Sequence, residues 1–449
     1  MSGTRRINRR NFCGTAAAIA AAGPLGVFGF PERAKAMTNV AQQTGSDTTA
    51  VRPFHVSVPE AELAELRKRI NATRWPDKET VTDTAQGVPL AMIQGLAQYW
   101  GTDYNWRNCE AKLNALPQYI TEIDGLDIQF IHVRSKQANA LPLIVTHGWP
   151  GSIIEMLKIV EPLTNPTAYG GSASDAFHVV IPSIPGYGFS GRPTAPGWDP
   201  AHIAGAWVVL MRRLGYTKFV AQGGDLGALI TDLMAEQAPP ELLGIHVNLP
   251  GTVPLNIAKV MQCGDPPPSS LTPDEKRAYE QLSDFSKKHF AYAIEMSTRP
   301  QTLYGFADSP VSLASWMLDH GDAWNQPAAV FISAVAGHTI DGHSSGALTR
   351  DDVLDDITLY WLTNTGISAA RSYWENKGRS VTNAVNVSIP AAVTVFPGEI
   401  YQAPRSWTEQ AYHKLVYYHQ ADKGGHFAAW EQPQLFSEEL RAGFKPMRT

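Results

Sequence analysis

The sequence predicts an α/β protein: a doubly wound, mostly parallel sheet with a helical cap and a mainly helical N-terminal extension. Two observations carry this. Between residues 123 and 250, apolar strand-like runs alternate with helical patterns and open into Gly- or Pro-rich loops, the arrangement of parallel strands joined by crossover helices. Between 251 and 384 the strand signal nearly vanishes, and it returns over 385–449. A helical insertion therefore interrupts the sheet. With 449 residues, 44% of them hydrophobic and 18% charged, the chain has ample material for a core. With a net charge of −5 and no basic run in the body, nothing points to a nucleic-acid or polyanionic partner.

The N-terminus reads as a targeting segment. Asn8-Arg9-Arg10-Asn11-Phe12-Cys13 precedes an alanine-rich apolar stretch from Thr15 to Phe30, and Ala34-Lys35-Ala36 supplies a small-x-small cleavage site. Residues 1–36 are thus expected to be a twin-arginine-type export signal, with the mature protein periplasmic or secreted. A membrane anchor is the alternative, and Pro24 with three glycines makes the stretch a poor span of roughly 20 residues. The mature chain would keep Cys109 and Cys263, too few for a disulfide framework. Residues 37–51 are polar and aperiodic, and read as a linker.

The segment 52–122 opens with an alternating strand at Phe54-His55-Val56-Ser57-Val58. Helical patterns follow from Pro59 to Ile70, around Pro89 to Trp100 and around Trp106 to Ala115. It carries no catalytic constellation, and packing is its expected role. The first part of the core, 123–250, begins with Leu126 to Val133, which alternates as a half-buried strand should. Pro142 to Thr146 is continuously apolar, as a buried parallel strand should be. It runs into His147-Gly148-Trp149-Pro150-Gly151-Ser152, where Gly and Pro force an irregular loop beyond the strand's carboxyl end, the edge at which open α/β sheets place ligands. His147 is expected to stabilise that loop. Phe177 to Pro182 leads to a second such loop, Ser183 to Ser190.

Lys218-Phe219-Val220-Ala221-Gln222 then ends in Gly223-Gly224-Asp225-Leu226-Gly227, and a helical pattern starts at Ala228. Small residues at 223, 224 and 227 allow a strained turn that exposes the side chain at 225. That is the geometry of the nucleophile elbow of α/β-hydrolases, with aspartate in place of serine; the plain alternative is a turn with Asp as a helix cap. A carboxylate is already ionised at neutral pH and attacks an sp³ carbon without a base, leaving an ester to be hydrolysed. The N–H groups of Trp149 and Leu226 could form an oxyanion hole for that hydrolysis. Gly244 to Pro250 reads as the next strand. Helices are expected over Asp274 to Met296, Pro310 to His320 and Asp351 to Asn376, lying over the elbow as a cap across 251–384.

The second part of the core, 385–449, supplies two more strands. Ala391 to Phe396 ends at Pro397-Gly398-Glu399; Lys414 to His419 leads to Gly424-Gly425-His426-Phe427. Read singly, Glu399 is a surface strand end and His426 a loop hydrogen bonder. Together with Asp225 they follow the order nucleophile, acid, histidine of the α/β-hydrolase triad, in which His426 activates water and Glu399 orients it.

At this point the chain resembles the microsomal-type epoxide hydrolases over nearly all of its mature region. The resemblance rests on the Pro59 to Asp77 preface, the His147 to Ser152 loop, Gly223-Gly224-Asp225-Leu226-Gly227, Phe396-Pro397-Gly398-Glu399-Ile400 and Gly424-Gly425-His426-Phe427-Ala428-Ala429. It implies an enzyme that converts lipophilic epoxides to vicinal diols, in a detoxifying role. It also implies two cap tyrosines that donate hydrogen bonds to the epoxide oxygen. Tyr292, in Tyr292 to Pro300, and Tyr373, in Arg371 to Asn376, match their surroundings; the alternative for each is an aromatic of the cap core. The export signal stands where mammalian members carry a membrane anchor, so a soluble enzyme is expected. No metal or organic cofactor is implied, and the partner is a small-molecule epoxide. The sequence leaves oligomeric state open, a homo-oligomer included. Rival readings are a haloalkane dehalogenase using the same Asp and His, against which the paired tyrosines argue, and a non-catalytic small-ligand binder. Asp225 argues against a serine esterase.

Overall fold

The computed structural model of the chain describes residues 47–82, 84–319, 329–337, 339, 344–377 and 380–448. The expected export signal and residues 37–46 of the expected linker lie outside them. Among the described residues nine strands form one sheet: β1 (Arg52–Phe54), β2 (Gln118–Ile123), β3 (Leu126–Val133), β4 (Leu141–Thr146), β5 (Phe177–Pro182), β6 (Phe219–Gly223), β7 (Leu242–Val247), β8 (Val387–Val395) and β9 (Tyr412–Gln420). Their order is β1-β2-β3-β5-β4-β6-β7-β8-β9. The run from β5 to β9 is parallel throughout, while β1, β2 and β3 add an antiparallel edge.

Strands at the centre are buried on both faces, which is why their sequences read as unbroken apolar runs. In β7 the period of two is still visible in what each side chain meets. The ring of His246 lies against Phe436 and Phe444 of the C-terminal helix Pro433–Phe444, and Ile245 and Val247 are left for the opposite face. The elbow helix, Asp225–Gln237, is buried from Asp225 through Ala235, hence apolar almost all round rather than striped. Its close seat is possible because residue 227 is glycine: a Cβ there would lie 2.1 Å from the carbonyl oxygen of Thr146.

Three differences from the sequence expectations have local causes. The first strand spans Arg52–Phe54 and pairs with β2, a strand not anticipated because only three residues separate its start at Gln118 from a helix that ends at Asn114. The helix expected over 274–296 divides into Pro273–Lys288 and Ala291–Thr298 at His289 and Phe290. That expected over 351–376 divides into Arg350–Thr363 and Gly366–Glu375, because Asn364 adopts a left-handed φ of 51°, a conformation that asparagine tolerates. The third expected helix is seen as Pro310–Leu318; His320 lies outside the described residues.

The N-terminal segment grips the cap helix Arg350–Thr363 with polar side chains. The Tyr99 hydroxyl donates to Asp351 at 2.7 Å, the Trp100 indole to Thr358 at 2.9 Å, and the Tyr104 hydroxyl and Lys112 ammonium to Asp355 at 2.8 and 3.1 Å. Buried hydrogen bonds between separate elements fix orientation as well as contributing stability.

Candidate active site

The site forms where β4, β6, β8 and β9 end. At the tip of β6 the chain reverses into a helix within one residue, and Asp225 takes the strain, with φ of +50°. A non-glycine residue there costs of order 1 kcal/mol or more and is retained where the surroundings over-determine it. Here they do: a Cβ on Gly148 would lie 2.4 Å from the Cβ of Asp225, so the loop after β4 presses directly on the elbow.

That loop turns its backbone toward the carboxylate. The Trp149 N–H donates to Asp225 Oδ1 at 2.9 Å, and the Leu226 N–H adds a second backbone bond. The Trp149–Pro150 peptide is cis. His147 ties this loop to the next one: its Nε2 accepts from the Ile184 N–H at 3.2 Å, and burial lowers its pKa to about 4, so it is neutral.

On the other side, the Glu399 and His426 loops are joined by a bridge between Gly398 and Gly425, with the Gly398 N–H donating to Gly424 O at 3.0 Å. This places His426 Nδ1 2.5 Å from Glu399 Oε1, while Nε2 stands 3.4 Å from Asp225 Oδ2. The two oxygens of Asp225 are thereby distinguished, Oδ1 held by the Trp149 N–H and Oδ2 turned toward the imidazole.

Electrostatics follow from this arrangement. Burial disfavours the charge on His426, but Glu399 and Asp225 on its two sides outweigh it and hold the imidazolium well above its ordinary value. Burial likewise pushes the Asp225 carboxyl up; the hydrogen bond and charge of His426, with the amides of Trp149 and Leu226, outweigh it and leave the carboxyl below its ordinary value. The resting site is an ion pair.

Facing Asp225 is a cavity of about 570 Å³ lined by Asp225, Leu226, Phe285, Phe290, Tyr292 and Tyr373 among others. Tyr292 comes from the cap helix Ala291–Thr298 and Tyr373 from Gly366–Glu375. The Tyr292 ring stacks on Trp149 at 5.1 Å between centroids, and Tyr373 meets both rings edge-on at 6.0 Å. Their hydroxyls hydrogen-bond to each other. Burial, then the charge of Asp225 for Tyr292 and the neighbouring phenol and Asp225 for Tyr373, pushes both well above the usual phenol range, so both keep a proton to donate. The structure thus brings Asp225, His426, Glu399, Trp149, Leu226, Tyr292 and Tyr373 into one place.

Sequence reasoning passed over other contributors. Asn248, just past β7, donates toward Glu399 Oε2 at 3.5 Å and accepts from Gln222 at 3.0 Å. Glu431 accepts from the Phe427 N–H at 2.9 Å and bonds the Gly425 amide, bracing the chain on either side of His426. Glu155 is buried beside the loop after β4. Asn248 had a readable signal, as a polar residue at the carboxyl end of a core strand. Among the described residues no cluster of His, Cys, Asp or Glu is arranged to hold a metal ion.

Comparison with known proteins agrees in extent with this architecture. Residues 51–156 match the model of the epoxide hydrolase N-terminus, and residues 142–300 that of the α/β hydrolase fold. The chain is similar to a Stigmatella aurantiaca protein provisionally named as an epoxide hydrolase, with 48% identity over 89% of this chain and 86% of the relative. It is 33% identical to epoxide hydrolase 1 of Sus scrofa over 88% of this chain and 89% of that one. The crystal structure of juvenile hormone epoxide hydrolase from Bombyx mori superposes with a TM-score of 0.78 at 28% identity, covering 89% and 95% of the two chains.

Proposed function

Since this chain belongs to the epoxide hydrolase family of the α/β-hydrolase fold and is a hydrolase of epoxides, we propose that it acts in two steps through an ester on Asp225. The observation that carries the reading is the division of labour between the two Asp225 oxygens. Oδ2 is the oxygen that faces His426, and it attacks the ring carbon. The C–O bond of the epoxide breaks, and its oxygen takes a proton from the Tyr292–Tyr373 pair. Oδ1 remains with the Trp149 N–H, and with the Leu226 N–H beside it the carbonyl of the new ester has an oxyanion hole.

The first step also prepares the second. Esterification removes the negative charge of Asp225 and with it one of the two interactions that hold His426 protonated. The imidazolium proton returns to the phenolate pair, and His426 becomes a neutral base backed by Glu399. It takes a proton from water; the water oxygen bonds Cγ, charge gathers on Oδ1, and the Cγ–Oδ2 bond then breaks. Oδ2 takes the proton from His426 and leaves as the second hydroxyl of the diol; the water oxygen stays on the enzyme, and its remaining proton passes to His426 to restore the ion pair.

The apolar share of the lining, including Leu282, Phe285, Phe290 and Ile400, favours lipophilic epoxides, in keeping with a detoxifying role. His426→Gln with styrene oxide tests the route: the ester should accumulate on the Asp225 peptide, seen as a mass increase, and an unmodified peptide would contradict it.

We also propose export of the enzyme as a soluble protein, on the strength of Arg9-Arg10, the alanine-rich stretch and Ala34-Lys35-Ala36. Among the described residues no helix is long and apolar enough to cross a membrane. Replacing both arginines with lysine should retain the protein in the cytoplasm; unchanged export would contradict this.

A further inference from the structure

The attacking water needs two holds, and the triad supplies one. His426 Nε2 accepts one of its protons; unless the other O–H also has an acceptor, the oxygen lone pair is free to turn away from Cγ of Asp225, and small misplacements of a reacting atom are expensive in rate. Glu155 is a buried acid beside the loop that carries the oxyanion amide. It belongs to the 3₁₀ stretch Ile153–Ile159 that follows the oxyanion loop, is only 6% exposed, and its Oε2 has no hydrogen-bond partner among the described residues. An unsatisfied buried oxygen costs about 1–3 kcal/mol, so its retention asks for a functional reason.

Its surroundings supply one. The loop after β4 runs between two carboxyl groups: a Cβ on Gly148 would strike Asp225, and a Cβ on Gly151 would lie 2.2 Å from Glu155 Oε2 and 3.6 Å from the ring of Phe427, the residue after His426. The Gly148 amide reaches the same carboxyl. Neighbouring buried acids are already engaged, Asp356 with the Ser152 hydroxyl at 2.5 Å and Glu431 with the Phe427 amide at 2.9 Å. Burial raises the Glu155 carboxyl to about 8, against the lowering effect of His426, and the charges of Asp356 and Asp225 raise it further. It is therefore mostly neutral near pH 7, able to accept a hydrogen bond without adding another negative charge beside Asp225 and Glu399.

We propose that Glu155 is the water-positioning residue of the hydrolytic step, its carboxyl oxygen accepting one O–H of the water whose other proton passes to His426 Nε2. The water oxygen bonds Cγ, the carbonyl electron pair moves to Oδ1, and the second hydrogen stays on the attacking oxygen, still held by Glu155. This inference rests on the two-step route proposed above.

The experiment is rapid-quench single turnover with styrene oxide, measuring ester formation and ester hydrolysis separately in wild type, His426→Gln, Glu155→Met and Glu155→Gln. His426→Gln comes first. If it accumulates no ester, the two-step route fails and this inference with it; if it does, the Glu155 variants decide. Glu155→Met, of similar length and without an acceptor, should slow hydrolysis about tenfold or more with ester formation within about twofold, and Glu155→Gln, which keeps a carbonyl acceptor, should recover much of the loss. Should Glu155→Met fail to fold, Gly151→Ala, whose methyl displaces the carboxyl, is read by the same criterion. Equal slowing of both steps, or unchanged hydrolysis, would overturn the proposal.

Discussion

The two halves of the site are built on different principles. On the sheet side, position comes from backbone: the strained φ of Asp225, the amides of Trp149 and Leu226, and the Gly398–Gly425 bridge that brings Glu399 to His426. On the cap side it comes from side chains. Tyr292 and Tyr373 ride on separate helices and are located by ring contacts with Trp149 and with each other. Trp149 belongs to both halves, its amide bonded to Asp225 and its ring packed against the two phenols. Under the proposed two-step route the difference implies a division of the reaction, with ester chemistry built into the core and ring opening dependent on the cap.

Substitutions should expose that division. Asp225→Ala removes the only group that can form the ester, and kcat/KM should fall below about 10⁻⁴ of wild type, as for loss of other covalent nucleophiles; substantial residual diol formation would break the comparison at its root. His426→Gln should slow hydrolysis by about 10²–10⁴-fold, the usual worth of a general base, with ester formation far less affected. Rapid-quench amounts of ester and diol distinguish this from a general loss of activity.

The cap behaves oppositely. Tyr373→Phe or Tyr292→Phe should slow ester formation about 10-fold to 100-fold, since the remaining phenol still meets the oxygen, and the double variant more severely. Hydrolysis of ester once formed should be little changed. Slowing of hydrolysis as large as that of ester formation would erase the distinction between the halves.

The smallest effects are those of pH. Because the Asp225 carboxyl is held below its ordinary value, it is ionised throughout the neutral and mildly acidic range, and ester formation should stay flat from about pH 8 down to about pH 5. Hydrolysis requires His426 to give up its proton after Asp225 is neutralised. Its rate should therefore rise with pH to a plateau, where the imidazole of the ester form has titrated. Single-turnover rates measured across that range separate the two, and a fall in ester formation toward pH 5 would contradict the account.

The same contrast explains what could be read from the sequence. Gly223-Gly224-Asp225-Leu226-Gly227 and the loop from His147 to Ser152 are local: each sets its own backbone geometry from small and cyclic residues, so spacing alone reveals them. The cap tyrosines came through resemblance, because a tyrosine in a helical run looks the same whether it lines a cavity or fills a core. Missed elements share a physical cause. Strand β2 follows a helix too closely for the change of period to register, and the break at Asn364 is made by a left-handed asparagine inside an otherwise helical pattern. Glu155 stands in Ile153-Ile154-Glu155-Met156, where a lone acid in an apolar run was the one available clue to a buried carboxyl. Its relation to His426 depends on folding across more than 250 residues.

The most direct test of the central claim is a single turnover in H₂¹⁸O with enzyme in excess over styrene oxide, followed by mass spectrometry of the diol and of the digested protein. Attack by Asp225 predicts an unlabelled first diol, with ¹⁸O entering the peptide that carries Asp225. Label in the first diol would mean that water attacks the epoxide directly, and the covalent role of Asp225 would be wrong.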